Sequence, residues 1–316
     1  MKILVTGAAG FIGSHLAQKL KALGHDVIGI DCFTEYYDRA LKEWNAAQVK
    51  HDGIEILTLD LAEDPLEDVL EGCDVMYHFA AQPGNSTKTP FEVYLRNNIL
   101  ATRRLAEAAM RVADLSCFVN VATSSVYGKQ ATEPESVAPQ PISYYGVTKL
   151  AAEQLVLAFQ RDKGFPACSV RIFSVYGPRE RPDKLYPKLI HSILAGQEFP
   201  LFEGSLEHSR SFTYIDDALQ GFLAILEHRD ACLGEIFNIG SDIEITTGRG
   251  IEIVENILGE KTKFAMKPKR PGDQLRTRAN IDKARRILGY EPRTAPEEGL
   301  QAEVEWYANQ VFEKIV

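Results

Sequence analysis

Residues 2–14 read Lys2-Ile3-Leu4-Val5-Thr6-Gly7-Ala8-Ala9-Gly10-Phe11-Ile12-Gly13-Ser14. A short apolar run meets three glycines, and a helix-like stretch follows over 14–23. Glycine suits the turn out of a strand, the point where backbone approaches a pyrophosphate, and the point where helix packs on strand. The helix N-terminus then offers N–H donors and a positive dipole end to phosphates. The spacing is GxxGxxG and not GxGxxG, so context has to complete the reading. Asp31 supplies it, 18 residues after Gly13 at the end of the next apolar run. A carboxylate there accepts hydrogen bonds from adenosine ribose hydroxyls and repels a 2′-phosphate, which predicts NAD over NADP. Gly7, Gly10, Phe11, Ile12, Gly13 and Asp31 are thus expected at the cofactor. Asp60-Leu61, past the third run, either touches the adenine or caps the following turn.

Outward from this stretch, apolar runs alternate with helical ones. Strands are predicted over 2–6, 27–30, 54–59, 75–79, 117–121 and 167–173, and helices over 14–23, 99–112 and 149–161. Near-continuous apolar strands separated by helices imply a parallel sheet covered on both faces. Right-handed crossovers leave a doubly wound Rossmann sheet as the expected α/β fold. Beyond Phe173 the texture changes, with Pro178, Pro182, Pro187 and Pro200 interrupting short mixed elements. A smaller mixed α/β lobe is therefore expected over 174–211 and 240–316. Residues 1–173 form the dinucleotide domain in this reading, and about 212–239, with a strand at 235–239, return to it.

Composition narrows the partners. The chain has 316 residues, 45% hydrophobic and 25% charged, with 35 Lys+Arg against 44 Asp+Glu and a net charge of −9. An acidic chain lacks the basic face that nucleic-acid phosphates or an anionic membrane require. No apolar run approaches a membrane span, and the start at Met1-Lys2 leaves no room for a signal h-region, so a cytoplasmic protein is expected. Cys32, Cys73, Cys117, Cys168 and Cys232 lie at least 41 positions apart, which reads as free thiols in a reducing compartment. The seven histidines form no HxH or HExxH pattern, and no metal site is expected. Lys261, Lys263, Lys267 and Lys269 read as a solvated surface.

Tyr145-Gly146-Val147-Thr148-Lys149 carries the chemistry. Positions i and i+4 share a helix face, so the Lys149 ammonium can sit beside the Tyr145 phenol and favour the phenolate. Such a phenolate can take a proton from a sugar or alcohol hydroxyl. Thr123-Ser124-Ser125, 22 residues before Tyr145, ends a buried strand at the edge where open α/β sheets bind ligands. A hydroxyl there can hold the reacting oxygen.

With these residues in view, the chain resembles the extended short-chain dehydrogenases/reductases, and among them the nucleotide-sugar epimerases and dehydratases. The likeness runs nearly end to end, through Thr6–Gly13, His78-Phe79-Ala80-Ala81-Gln82, Asn97-Asn98, Ser124–Gly128, Tyr145–Lys149, Val175–Arg179, Arg210–Asp217, Asn238-Ile239-Gly240 and Arg270-Pro271-Gly272-Asp273. It implies Thr123, Tyr145 and Lys149 as the catalytic set. It also implies Ala80, Ala81, Gln82 and Asn98, with Tyr145 and Lys149, at the cofactor. Ser124, Ser125, Ser174, Arg179, Arg181, Arg210, Arg270 and Asp273 are implied at a UDP-sugar held by the second lobe. Related dehydratases and decarboxylases carry carboxylates where this chain has Ser124 and Ser125, so the resemblance implies a 4-epimerase acting through a transient 4-keto sugar. Another epimerase, a reductase, a dehydratase or a catalytically idle NAD-binding scaffold are the alternatives. Arg179–Asp183, Thr123–Ser125 and Asp38 after Tyr36-Tyr37 most resemble UDP-glucuronate 4-epimerases. Those relatives carry Gly-Val-Arg where this chain has Gly84-Asn85-Ser86, and Met-Ala where it has Lys184-Leu185. A substrate carboxylate would then find Arg181, Lys184 or Lys88; without one, the substrate is a neutral hexose. Family likeness also implies a homodimer through the helices at 99–112 and 149–161.

Overall fold

In the computed structural model, which describes residues 1–84, 89–269 and 276–312, seven parallel strands build one sheet. They are β1 (Lys2–Thr6), β2 (Asp26–Asp31), β3 (Glu55–Thr58), β4 (Val75–His78), β5 (Cys117–Thr123), β6 (Ala167–Ile172) and β7 (Ile236–Ile239). Their order is β3-β2-β1-β4-β5-β6-β7, the doubly wound arrangement expected from the sequence. β7 comes from the second half of the chain and pairs with β6, Phe237 opposite Val170. Every residue of β4 and β5 is buried, which is why these runs are apolar without alternation. Strand order reverses between β1 and β4, so a crevice opens beyond their C-terminal ends, at Gly7 and Phe79.

The sheet faces pack separately. Ile3 and Val5 point to one core with Leu16 and Leu20; Leu4 joins Met76, Leu105 and Phe118 on the other side. Helix α1 (Phe11–Ala22) starts three residues earlier than predicted, because Gly10 is extended and the helix begins directly after it. Helix α2 (Arg39–His51) is capped by Asp38, whose carboxylate accepts the Ala40 N–H at 2.9 Å. The helix predicted at 99–112 is shorter at its end and longer at its start. A helical turn at Phe91–Tyr94 and a π-helical turn at Leu95–Leu100 lead into α3 (Ala101–Ala109). Helix α4 (Tyr144–Lys163) starts at Ser143, whose hydroxyl accepts the Gly146 N–H at 3.1 Å, and ends on Gly164 in the left-handed conformation.

The smaller lobe has its own core, in which Tyr186, Leu189 and Ile190 of α5 (Leu185–Leu194) meet Phe199, Val254 and Leu300. Two short parallel pairs frame it, Ser174–Tyr176 with Phe212–Tyr214 and Glu198–Phe202 with Lys263–Lys267. Between them the chain returns as α6 (Ile215–Glu227), which packs Ile215, Ala218 and Phe222 on the first core. Among the described residues no helix is long and apolar enough to cross a membrane.

Candidate active site

A cleft of about 1180 Å³ runs along the C-terminal edge of the sheet, between it and the smaller lobe. Gly7, Gly10, Phe11, Ile12, Gly13, Asp31, Asp60, Leu61, Ala80 and Ala81 line its first end. Gly7 has φ +72°, and a Cβ on it would stand 3.0 Å from the Ala80 nitrogen. A Cβ on Gly13 would collide with the Gly7 carbonyl oxygen. The loop therefore lies flat against the strand ends and leaves its backbone open to a ligand. Asp31 is aimed by two backbone donors, the Ala9 N–H at 3.1 Å and the Phe33 N–H at 2.9 Å. A side-chain-free cradle and a fixed carboxylate at β2 together fit an adenosine diphosphate moiety. Asp60 caps the following turn, its carboxylate accepting the Ala62 N–H at 2.8 Å and pairing with Arg96 at 2.8 Å, and it also lines the cleft.

Two expected cofactor residues stand behind this wall. Gln82 and Asn98 are buried and do not line the cleft. Asn98 Oδ1 accepts the Gln82 N–H at 2.7 Å, and its Nδ2 donates to Gln82 O at 3.2 Å and Thr148 Oγ1 at 3.0 Å. The π-helical turn turns Asn98 inward and leaves Asn97 at the cleft surface. Asn98 is thus a positioning residue that ties the Ala80–Gln82 wall to α4.

Thr123, Ser124, Ser125, Tyr145, Lys149 and Ser174 meet at the middle of the cleft. Gly146 makes this possible, because a Cβ there would lie 2.7 Å from Ser125 O, so α4 rests directly on the end of β5. The Thr123 side chain hydrogen-bonds the Tyr145 phenol and also accepts the Ser125 N–H at 3.2 Å. Lys149 is 2% exposed, and burial lowers its ammonium pKa to about 8 against the opposing pull of Glu153. The phenol departs from expectation. Burial raises its pKa above the ordinary tyrosine value, while the Thr123 hydrogen bond and the Arg181 charge act the other way and do not overcome it. In the protein alone, burial works against the Tyr145 phenolate.

At the far end, Arg181 and Arg210 line the cleft. Arg179 does not; its guanidinium donates to Ser14 Oγ at 3.1 Å and Gln18 Oε1 at 2.6 Å and packs over Trp44, which corrects its expected place at the substrate. With φ +72° it turns back onto α1 and clamps the two lobes together. Arg270, Asp273 and Lys88 lie outside the described residues.

No motif in the sequence pointed to Glu303. It is fully buried, accepts the Gly177 N–H at 3.2 Å, and hydrogen-bonds Glu180, which lines the cleft. Burial pushes the Glu180 carboxyl up to about 7 against Lys184 and Glu303, and burial beside Glu180 pushes Glu303 well above the carboxylate range. Both shifts favour a protonated carboxyl in the pair. A raised pKa means the folded state holds that proton more tightly than the unfolded chain. The stabilisation is complete below the ordinary carboxylate value and is lost as pH rises through about 7. Glu303→Gln keeps a donor for Glu180 without the second charge. Denaturant unfolding between about pH 5 and about pH 8 should show wild-type stability falling more than that of the variant. Parallel curves for the two proteins would show that the pair carries no proton.

Comparison with known proteins agrees with this geometry. The model of the NAD dependent epimerase/dehydratase family matches residues 3–240. The chain is 39% identical over 319 residues to the "uncharacterized UDP-glucose epimerase" YtcB of Bacillus subtilis (strain 168), covering 98% of each. It is 36% identical over 329 residues to UDP-glucuronate 4-epimerase 4 of Arabidopsis thaliana, covering 96% of this chain and 75% of the relative. Among solved structures, it resembles UDP-glucuronic acid 4-epimerase from Bacillus cereus in complex with UDP-glucuronic acid and NAD. That likeness has a TM-score of 0.93 and 37% identity, and covers 98% of this chain and 99% of the other.

Proposed function

The chain belongs to the NAD dependent epimerase/dehydratase family, and from that premise we propose that it is an NAD-dependent 4-epimerase of UDP-hexoses or UDP-hexuronates. One observation carries the reading: Tyr145, hydrogen-bonded to Thr123, lies in one cleft with Lys149 and the Asp31 end, and the neighbouring positions are hydroxyls, Ser124 and Ser125. NAD+ held by the Gly7–Gly13 loop and Asp31 would supply the hydride acceptor for C4 of the sugar. Thr123 orients the C4 oxygen, and Tyr145 takes its proton and later gives it back. A bound cationic pyridinium would favour the Tyr145 phenolate. Ser124 and Ser125 cannot act as strong acid and base, so the 4-keto sugar is neither dehydrated nor decarboxylated. Epimerisation is redox-neutral, and the cofactor stays bound between turnovers. The purified protein incubated with UDP-glucose or UDP-glucuronate, with no reductant added, should produce the C4 epimer. Stoichiometric consumption of added reduced cofactor would indicate a reductase instead.

Asp31 sets the cofactor. Asp31→Asn removes a charged acceptor, and NAD affinity should fall roughly 10- to 100-fold by titration of cofactor-free protein. An unchanged affinity would place the adenosine elsewhere. Residues 1–173 with about 212–239 serve the cofactor in this proposal, and 174–211 with 240–316 serve the nucleotide sugar. A homodimer through α3 and α4 is part of the same proposal, with Leu100 exposed where α3 begins. A reducing, cytoplasmic setting is supported by five free cysteines.

A further inference from the structure

Two arginines grip the loop after β3, and the chemistry at Tyr145 uses neither. Arg104 of α3 holds the loop backbone, donating to Leu61 O and Asp64 O at 2.9 Å and to Glu63 O at 3.3 Å. Arg96, in the π-helical turn, holds side chains instead. Its Nη2 donates to Asp60 Oδ2 at 2.8 Å and pairs with Glu63, and its Nη1 donates to Asn97 Oδ1 at 2.9 Å. Asp60 lines the cleft with Ile30, Leu61, Ala80 and Ala101, which give this end apolar walls. With a pyrophosphate at the Gly7–Gly13 turn and a ribose at Asp31, those walls are left for the base. Apolar surfaces suit the faces of a purine, while its edge needs placed polar groups. A carboxylate offers about four lone-pair sites, and among the described residues only the Ala62 N–H and Arg96 reach those of Asp60. It therefore has room for a donor from the cleft. Burial works to raise its pKa, but the Arg96 and Ala62 hydrogen bonds outweigh burial and hold the carboxyl below its ordinary value, an acceptor and not a donor. The two arginines thus divide the work: without Arg96 the loop backbone stays on Arg104, but the carboxylate loses its aim.

We propose that Arg96 is a positioning residue for the cofactor, which holds the Asp60 carboxylate toward the base so that the site selects a purine bearing an exocyclic amine over one bearing a carbonyl there. This rests on the NAD-binding part of the reading above and not on the reaction at the sugar. Cofactor-free wild type, Arg96→Met, Arg96→Lys and Glu63→Gln are titrated with NAD and with its hypoxanthine analogue, which carries a carbonyl in place of the adenine amine. Arg96→Met keeps an apolar stem and removes the guanidinium. The wild type should prefer NAD at least roughly tenfold, because a carbonyl facing a carboxylate leaves both without a donor. Arg96→Met should cut that preference at least roughly threefold by weakening NAD, with the Kd of the analogue changed less than about twofold. Arg96→Lys should recover part of the preference, since an ammonium can still reach Asp60. Glu63→Gln removes the other partner of Arg96 and should leave the preference as it is. Equal losses on both dinucleotides would assign Arg96 to folding of the loop and overturn the proposal. A wild type that binds both alike, or a Glu63→Gln variant that loses the preference, would overturn it too. If the folded wild type binds neither dinucleotide, the NAD reading itself falls and the proposal with it.

Discussion

Tyr145→Phe is expected to lower epimerase turnover about 10²–10⁴-fold and to leave dinucleotide binding intact. The phenol is half-buried in the cleft and its one side-chain hydrogen bond of note is with Thr123. Phenylalanine fills the same space, and Thr123 Oγ1 still accepts the Ser125 N–H. The cost to stability should be about 1 kcal/mol, the price of one hydrogen bond. The cofactor contacts proposed at Gly7, Gly13 and Asp31 belong to β1, α1 and β2 and are untouched. Because the protein alone raises the phenol's pKa, the acidic limb of the wild-type rate profile should depend on the charge of the bound cofactor. Full turnover in the variant would assign the proton transfer to another group.

Arg171→Met is expected to destabilise the fold by about 3–5 kcal/mol in denaturant unfolding. Arg171 in β6 and Glu153 in α4 are 1% and 0% exposed, and they join through two bonds, Nε to Oε2 at 2.9 Å and Nη2 to Oε1 at 2.7 Å. Removing the arginine leaves a carboxylate with no water to solvate it, which costs far more than the pair contributes. The guanidinium also packs over Tyr127 at 4.9 Å and donates to its hydroxyl at 3.0 Å. Glu153→Leu added to Arg171→Met should restore much of the stability, because both charges are then gone. The double variant has a second signature. Glu153 raises the pKa of Lys149, which stands at about 8, so its removal should shift the alkaline limb of kcat to lower pH. A recovered fold with an unmoved limb would show that Glu153 supports the helix alone.

The cofactor end was legible in the chain because it is local. The Gly7–Gly13 turn, the helix after it and Asp31 lie within 31 residues, and apolar runs without alternation announce strands covered on both faces. Tyr145 and Lys149 were legible for the same reason, since four residues on one helix need no tertiary knowledge. What was not legible depends on contacts across the fold. Glu180 and Glu303 are 123 positions apart, and each alone looks like a surface carboxylate. Arg179 sits two residues from Arg181 in one motif, yet a left-handed backbone sends the first to α1 and the second to the cleft. A π-helical turn, which no composition rule signals, buries Asn98 and leaves Asn97 at the cleft surface. The phenol's pKa shows the same limit. Helical spacing places an ammonium nearby, but burial, a property of the whole fold, sets the direction.

UDP-glucuronate carrying deuterium at C4, turned over in ordinary water, tests whether one phenol in the cleft and one bound cofactor invert a single carbon. The account predicts a C4-inverted product with the label retained at C4 and no label in solvent. Washing out of the deuterium, loss of carbon dioxide, or a product of unchanged C4 configuration would contradict it.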